Sequence, residues 1–147
     1  MNFKIKLTKT NINPAVVLIG ILHEDKLLHG EKFFLNGSVD IRAFDCDLNL
    51  GSEYTLKISR HESELYQSDK LVHDSHVIVD SIIIDNFWTI GEDNHWSKTV
   101  YDKEYINYLS NKPVTWELSK NLYNNVLFFN GSLEYTITTP IRKMFFK

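Results

Sequence analysis

Hydrophobic and polar positions alternate from the first residues of the chain. Phe3, Ile5 and Leu7 interleave with Lys4, Lys6 and Thr8. A period of two sends successive side chains to opposite faces of a strand. The same period runs through Tyr54, Leu56 and Ile58 against Thr55, Lys57 and Ser59, and through Leu133, Tyr135 and Ile137 against Ser132, Glu134, Thr136 and Thr138. Lys32 to Leu35 and Val39, Ile41 and Ala43 form shorter runs, and Val77 to Ile84 is rich in β-branched residues that suit a pleated surface. Val16 to Leu22 is continuously apolar, the pattern of a strand covered on both faces. Thr115 to Leu118 and Leu127 to Phe129 are two further short candidates.

Turn chemistry separates these runs. Phe33-Phe34-Leu35-Asn36-Gly37-Ser38-Val39-Asp40-Ile41 is echoed by Phe128-Phe129-Asn130-Gly131-Ser132-Leu133-Glu134-Tyr135. Asn-Gly between alternating runs is the strongest short-range hairpin signal, because both residues accept the positive φ of a type I′ turn. The sequence therefore predicts hairpins at Asn36-Gly37 and Asn130-Gly131, with one Phe of each pair in the core and the other outward. No long helical period competes; Asp102 to Leu109 is at most a helical turn or two, with Asp102 as its N-cap. His61 to Asp74 is polar and reads as a loop. Asp85 to Asn111 is the longest stretch without clear alternation, and long connections of that kind are often functional. The expectation is an all-β chain, an antiparallel β-sandwich of jelly-roll type with one long aromatic-rich insertion. It forms one domain over residues 1–147, a length sufficient to bury a sizeable core.

Composition changes the picture at a few points. With 43% hydrophobic and 13% aromatic residues the chain is not a disordered one. Its start alternates like a strand and shows no signal-peptide pattern, and the apolar run Ala15 to Leu22 is too short for a membrane-spanning helix. The expected product is made in a cytoplasm and does not insert into membranes. The single cysteine, Cys46, excludes an internal disulfide and any cysteine-based zinc cluster. The formal charge of −3 argues against nucleic acid, whose phosphates need concentrated Lys and Arg. The preference for Lys, Asn and Ile matches A/T-rich codons and speaks to origin rather than to chemistry.

The insertion holds the leading candidate site. Phe87, Trp88, Glu92, Asp93, Asn94, His95, Trp96, Tyr101, Tyr105 and Tyr108 put aromatic faces beside side-chain oxygens. That combination suits a protein interface, where Trp and Tyr act as anchors. It also suits a glycan, whose rings stack on aromatics while carboxylates and amides bond its hydroxyls. The plainest alternative is a loop pinned to the core by its aromatic rings.

Other constellations are weaker. Asp45-Cys46-Asp47-Leu48-Asn49 opens like a calcium loop, but Leu50 replaces the required Gly and Leu56 the closing Glu. Alternation places Asp45, Asp47 and Asn49 on the solvent face of a strand end, and Asp85, Glu92, Asp93 and Asn94 form a second set of oxygens. His73-Asp74-Ser75-His76 lacks further ligands at zinc spacing, and His61-Glu62 is followed by Leu65 where a metalloprotease helix needs His. No nucleophile elbow, phosphate loop or dinucleotide fingerprint occurs. The expectation is a protein without catalysis, metal or cofactor. Asn36-Gly37-Ser38 and Asn130-Gly131-Ser132 match the glycosylation sequon, but turn formation accounts for both.

The last part of the chain also carries a resemblance. Val79-Asp80-Ser81-Ile82-Ile83-Ile84-Asp85 is followed by the aromatic insertion, then by Phe129-Asn130-Gly131-Ser132-Leu133-Glu134-Tyr135-Thr136-Ile137-Thr138-Thr139-Pro140-Ile141, and by the tail Met144-Phe145-Phe146. Over residues 77–147 this resembles small single-domain β-sandwich proteins of tailed bacteriophages, which are similar in architecture to carbohydrate-binding modules. The resemblance implies a non-enzymatic virion protein made in the host cytoplasm: a capsid, neck or tail component, or a decoration or adhesion protein. Its partners would be other virion proteins and further copies of itself. The alternative is a carbohydrate-binding module that recognises surface glycans through the aromatic loop.

Overall fold

The computed structural model describes residues 1–9, 15–35, 38–49, 51–60, 66–67, 70–71, 76–90, 97–101, 103, 126–127 and 130–138. Its strands are β1 (Asn2–Lys9), β2 (Ala15–His23), β3 (Lys26–Leu35), β4 (Val39–Asp45), β5 (Glu53–Arg60), β6 (Tyr66–Gln67), β7 (Lys70–Leu71), β8 (Val77–Ile84), β9 (Phe87–Ile90), β10 (Ser97–Tyr101), β11 (Val126–Leu127) and β12 (Gly131–Thr138). One sheet runs β11-β8-β1-β4, with β9 also paired to β8; the other runs β10-β12-β5-β2-β3. Every ladder among the described residues is antiparallel. The chain is an all-β sandwich, as its alternation predicts.

The two sheets close on one apolar core. Phe3, Ile5 and Leu7 from β1, Ala15, Val17, Ile19 and Ile21 from β2, and Tyr54, Leu56 and Ile58 from β5 are buried in it. Val79, Ile82 and Ile84 face them from β8, and Leu133, Tyr135 and Ile137 from β12. Burying a large aliphatic side chain contributes roughly 1.5–3 kcal/mol, so these rows fix which face of each strand turns inward. Arg60 is the exception among the fully buried side chains. Its Nη1 donates to the Leu127 carbonyl at 3.0 Å, tying β5 of one sheet to β11 of the other.

Several expectations are corrected. The Asn-Gly pairs do not close hairpins. β3 and β4 flank Asn36-Gly37 but belong to different sheets, and β11 and β12 flank Asn130-Gly131 in the same way. Asn36 and Gly37 themselves lie outside the described residues; Asn130 is buried, and Gly131 is already a strand residue opposite Arg60. Reversing the chain between two layers needs a compact corner as much as a hairpin does, so the dipeptide alone does not tell them apart. The hairpins form elsewhere. Glu24 and Asp25 link β2 to β3, and Asp85 and Asn86 link β8 to β9, each pair at φ 49° and 65°. Both have the left-handed backbone of a type I′ turn, which Asp and Asn tolerate well.

Val16 to Leu22 is not covered equally on both faces: Val17, Ile19 and Ile21 are buried, while Val16, Leu18, Gly20 and Leu22 are half-buried. The stretch read as a loop between His61 and Asp74 contains the β6–β7 pair. The insertion from Asp85 contributes β9 to one sheet and β10 to the other. Alternation was too short in these segments to announce strands. The Phe33-Phe34 pair straddles its sheet as expected, Phe33 buried and Phe34 exposed. Phe128 and Phe129, the candidate strand at Thr115 to Leu118, and the predicted turn from Asp102 to Leu109 apart from Lys103 lie outside the described residues.

Candidate interaction surface

The predicted site divides between the sheets. Phe87 and Trp88 stand on β9, opposite Ile84 and Ile83 of β8. Tyr101 ends β10, opposite Gly131 of β12. Glu92, Asp93, Asn94, His95, Trp96, Tyr105 and Tyr108 lie outside the described residues.

The oxygen-rich segment after β4 is solvated, as alternation predicts. Asp45, Asp47 and Asn49 are exposed. Asn2 sits between two carboxylates: its side-chain Nδ2 donates to Asp45 Oδ1 at 3.2 Å and its backbone N–H to Asp85 Oδ1 at 2.7 Å. Among the described residues no group of three or more His, Cys, Asp and Glu is placed to hold a metal ion. Cys46 is buried, and burial pushes its thiol up; the N-terminal ammonium opposes that shift and Asp47 adds to it. A thiol held protonated is a poor nucleophile. No helix among the described residues is long and apolar enough to cross a membrane.

A different region brings chemistry together. Among the described residues β3 pairs only with β2, and β4 only with β1, so each ends its sheet. The two strands face one another across the open side of the sandwich. Residues two apart share a strand face, which puts His29, Glu31 and Phe33 of β3 on the inner side with Asp40, Arg42 and Phe44 of β4. The Phe44 ring stacks on Phe3 at 5.0 Å and on His29 at 4.2 Å, nearly parallel to both. The Arg42 guanidinium lies 4.0 Å over the Phe33 ring and donates to Asp40 Oδ2 at 3.0 Å. These half-exposed ion and cation–π contacts contribute about 1 kcal/mol or less apiece. His29 Nε2 stands 4.0 Å from Glu31 Oε2. Neither of these buried atoms, nor Arg42 Nε, has a hydrogen-bond partner.

The outer shoulders of this side are apolar. Leu27, Leu28, Phe34, Val39 and Ile41, the large apolar side chains exposed among the described residues, all belong to β3 or β4. Sequence reasoning missed this surface because His29-Gly30-Glu31 interrupts the apolar rhythm of β3. The signal that could have found it is Phe34, whose outward ring follows from the alternation already read at Phe33.

No protein-family model matches the chain, and no curated protein matches its sequence. A solved structure described as a vCBM60 in complex with galactobiose is similar at a TM-score of 0.49 and 11% identity, with 92% of this chain and 97% of that chain covered. The sandwich assignment rests on the strand pairing itself.

Proposed function

We propose that the chain is a non-catalytic binding protein that works through protein–protein contacts, a structural component of a virion. The observation that carries the contact reading is the gathering of Leu27, Leu28, Phe34, Val39 and Ile41 on the two sheet-ending strands. Leu27 and Phe34 stand on the outer face of one sheet and Val39 and Ile41 on that of the other, and exposed apolar side chains lose their unfavourable hydration when a partner covers them. The half-buried polar line between them supplies directional contacts for that partner. The virion assignment follows the resemblance of residues 77–147. The aromatic segment 87–108 is a second contact region in this reading.

The test is incorporation. Particles are purified from cells that produce the virion proteins together with the wild-type chain or with a Phe34→Asp/Ile41→Asp variant. Wild-type chain in the particles, and loss of the folded variant from them, is expected. Particles without the wild-type chain, together with binding on a glycan array that Trp88→Ala or Trp96→Ala abolishes, would replace this reading with carbohydrate recognition.

A further inference from the structure

β3 is the strand most exposed to pairing with another chain. It has ten residues, ends its sheet, and carries three of the exposed apolar side chains, Leu27, Leu28 and Phe34. A long unpaired edge with apolar residues is a ready template for an incoming strand. The question is which strand, and the sequence of β3 answers it by its symmetry.

An antiparallel pair of identical strands meets about a two-fold axis, and only registers that place a residue opposite its own copy keep inner faces with inner faces. Four such axes fall near the middle of β3. An axis at Glu31 sets carboxylate against carboxylate, and one at Lys32 sets ammonium against ammonium. An axis at His29 sets imidazole against imidazole and sets Glu31 against the irregular stretch between Leu27 and His29. An axis at Gly30 sets His29 opposite the second copy's Glu31, and Glu31 opposite the second copy's His29. Lys32 then lies beside Leu28, the residue that the β2–β3 ladder skips, and its alkyl stem covers apolar surface there. Like charges directly opposite are destabilising, whereas an imidazole N–H donates to a carboxylate set opposite it, so of these four the Gly30 register is the one the side chains favour.

The local packing agrees. The ladder between β2 and β3 shifts register at Ile21/Leu22, which sets Leu27 opposite Leu22 on the outer face. From there Leu27 lies across two glycines: a Cβ at Gly20 or at Gly30 would meet its terminal methyls at 3.1 Å. Leu27 is nevertheless 59% exposed. In a pair centred on Gly30, the two Leu27 side chains come together over the two glycines at the axis. On the inner face, the side chains of His29 and Glu31 keep 26% and 41% of their surface exposed, and that surface is what each offers to the other copy.

We infer that β3 docks against β3 of a second copy, antiparallel about a two-fold axis at Gly30, joining the two five-stranded sheets into one. The interface is isologous, with each contact made twice. This deepens the contact reading above by naming one partner, and it is tested on the isolated chain, so that its failure is separate from failure of particle incorporation.

Sedimentation equilibrium of the full chain from micromolar to millimolar concentration is expected to give a mass rising toward twice 17.2 kDa. His29→Glu places carboxylates opposite one another and should weaken dimerisation about tenfold or more. The double variant His29→Glu/Glu31→Arg restores opposite charges across the axis and should recover most of the loss. Register is read by cross-linking with oxidised glutathione. Cysteines at position 30 would stand opposite each other at about 4.5–5.5 Å between Cα atoms, within disulfide reach. Cysteines at position 32 would be offset by four residues, about 13 Å. Gly30→Cys, whose Cβ displaces only the flexible end of Leu27, is therefore expected to form a disulfide-linked dimer, and Lys32→Cys to form no disulfide. A wild-type chain that remains a monomer at millimolar concentration overturns the inference. So does cross-linking at position 32 in place of position 30.

Discussion

The turn between β2 and β3 gives a direct measure of backbone strain. Glu24 sits at φ 49° and Asp25 at φ 65°. An L residue without side-chain help loses roughly 1–2 kcal/mol in that region, and Asp loses less than Glu because its short side chain bonds the local backbone. Both side chains are exposed, so exchanging them removes no core contact. Replacing the pair by Asn-Gly relieves most of the strain at position 24. The added glycine costs about 0.5–1 kcal/mol of folding entropy at position 25, partly offset by relief of strain there. The balance is a gain of about 1 kcal/mol, which at this length raises Tm by about 2–4 °C.

The opposite perturbation makes the test two-sided. Glu24→Val places a β-branched residue at positive φ, where its backbone is most crowded, and should lower stability by about 1–2 kcal/mol. Thermal unfolding followed by far-UV circular dichroism reads both variants against the wild type. A Val variant as stable as the wild type would refute the left-handed turn. An Asn-Gly variant less stable than the wild type would show that Glu24 or Asp25 makes a contact that outweighs the strain.

The other predictions concern the core, two buried titratable groups and the aromatic segment. Leu56→Ala empties a fully buried site facing both β2 and β12 neighbours and should cost about 2–5 kcal/mol, seen as a lower urea midpoint with unchanged slope. Burial pushes the Tyr135 phenol up, so the folded chain holds that proton more tightly than the unfolded chain. Its contribution is intact below the unfolded pKa of about 10 and falls as pH rises beyond it; Tyr135→Phe should lose less Tm than the wild type between about pH 8 and about pH 11. Cys46 should react with a thiol reagent far more slowly in the native chain than in urea, because its sulfur is buried and burial raises the thiol pKa; equal rates would contradict its placement. Trp88→Ala or Trp96→Ala should weaken assembly or ligand binding by about 2 kcal/mol if that ring is an anchor, with the melting curve unchanged; a lowered melting curve with normal binding would make it a core residue.

The strands that alternate over several residues were legible in the sequence. β1, β5 and β12 show the rows of inward side chains that Phe3, Tyr54 and Leu133 begin. Pairing was less legible, because it depends on which strands share a layer and not on their own pattern. Asn130-Gly131 could not reveal that it joins β11 of one sheet to β12 of the other. Asp85-Asn86 carries a type I′ turn between Ile84 and Phe87, but sits where an apolar strand meets an apparently irregular insertion. The surface formed by β3 and β4 was hidden for a related reason. His29, Glu31, Asp40 and Arg42 are ordinary polar residues until the two sheet-ending strands are known to face each other.

That hidden surface also separates two uses of the same polar residues. An edge strand needs protection from indiscriminate pairing, and charged side chains, lysines above all, provide it. Lys26 and Lys32 on β3 meet that need, and a self-register centred on Lys32 brings like charges together. Protection of this kind is selective rather than complete. One register opposes His29 with Glu31, removes the lysine–lysine encounter, and lays the two exposed Leu27 side chains over Gly30. Gly20 and Gly30 both give Leu27 room within one chain, and in this register the leucines that lie over them meet across the axis. The charges on β3 thus act as a filter on register, and the apolar shoulders supply the free energy once the filter is passed.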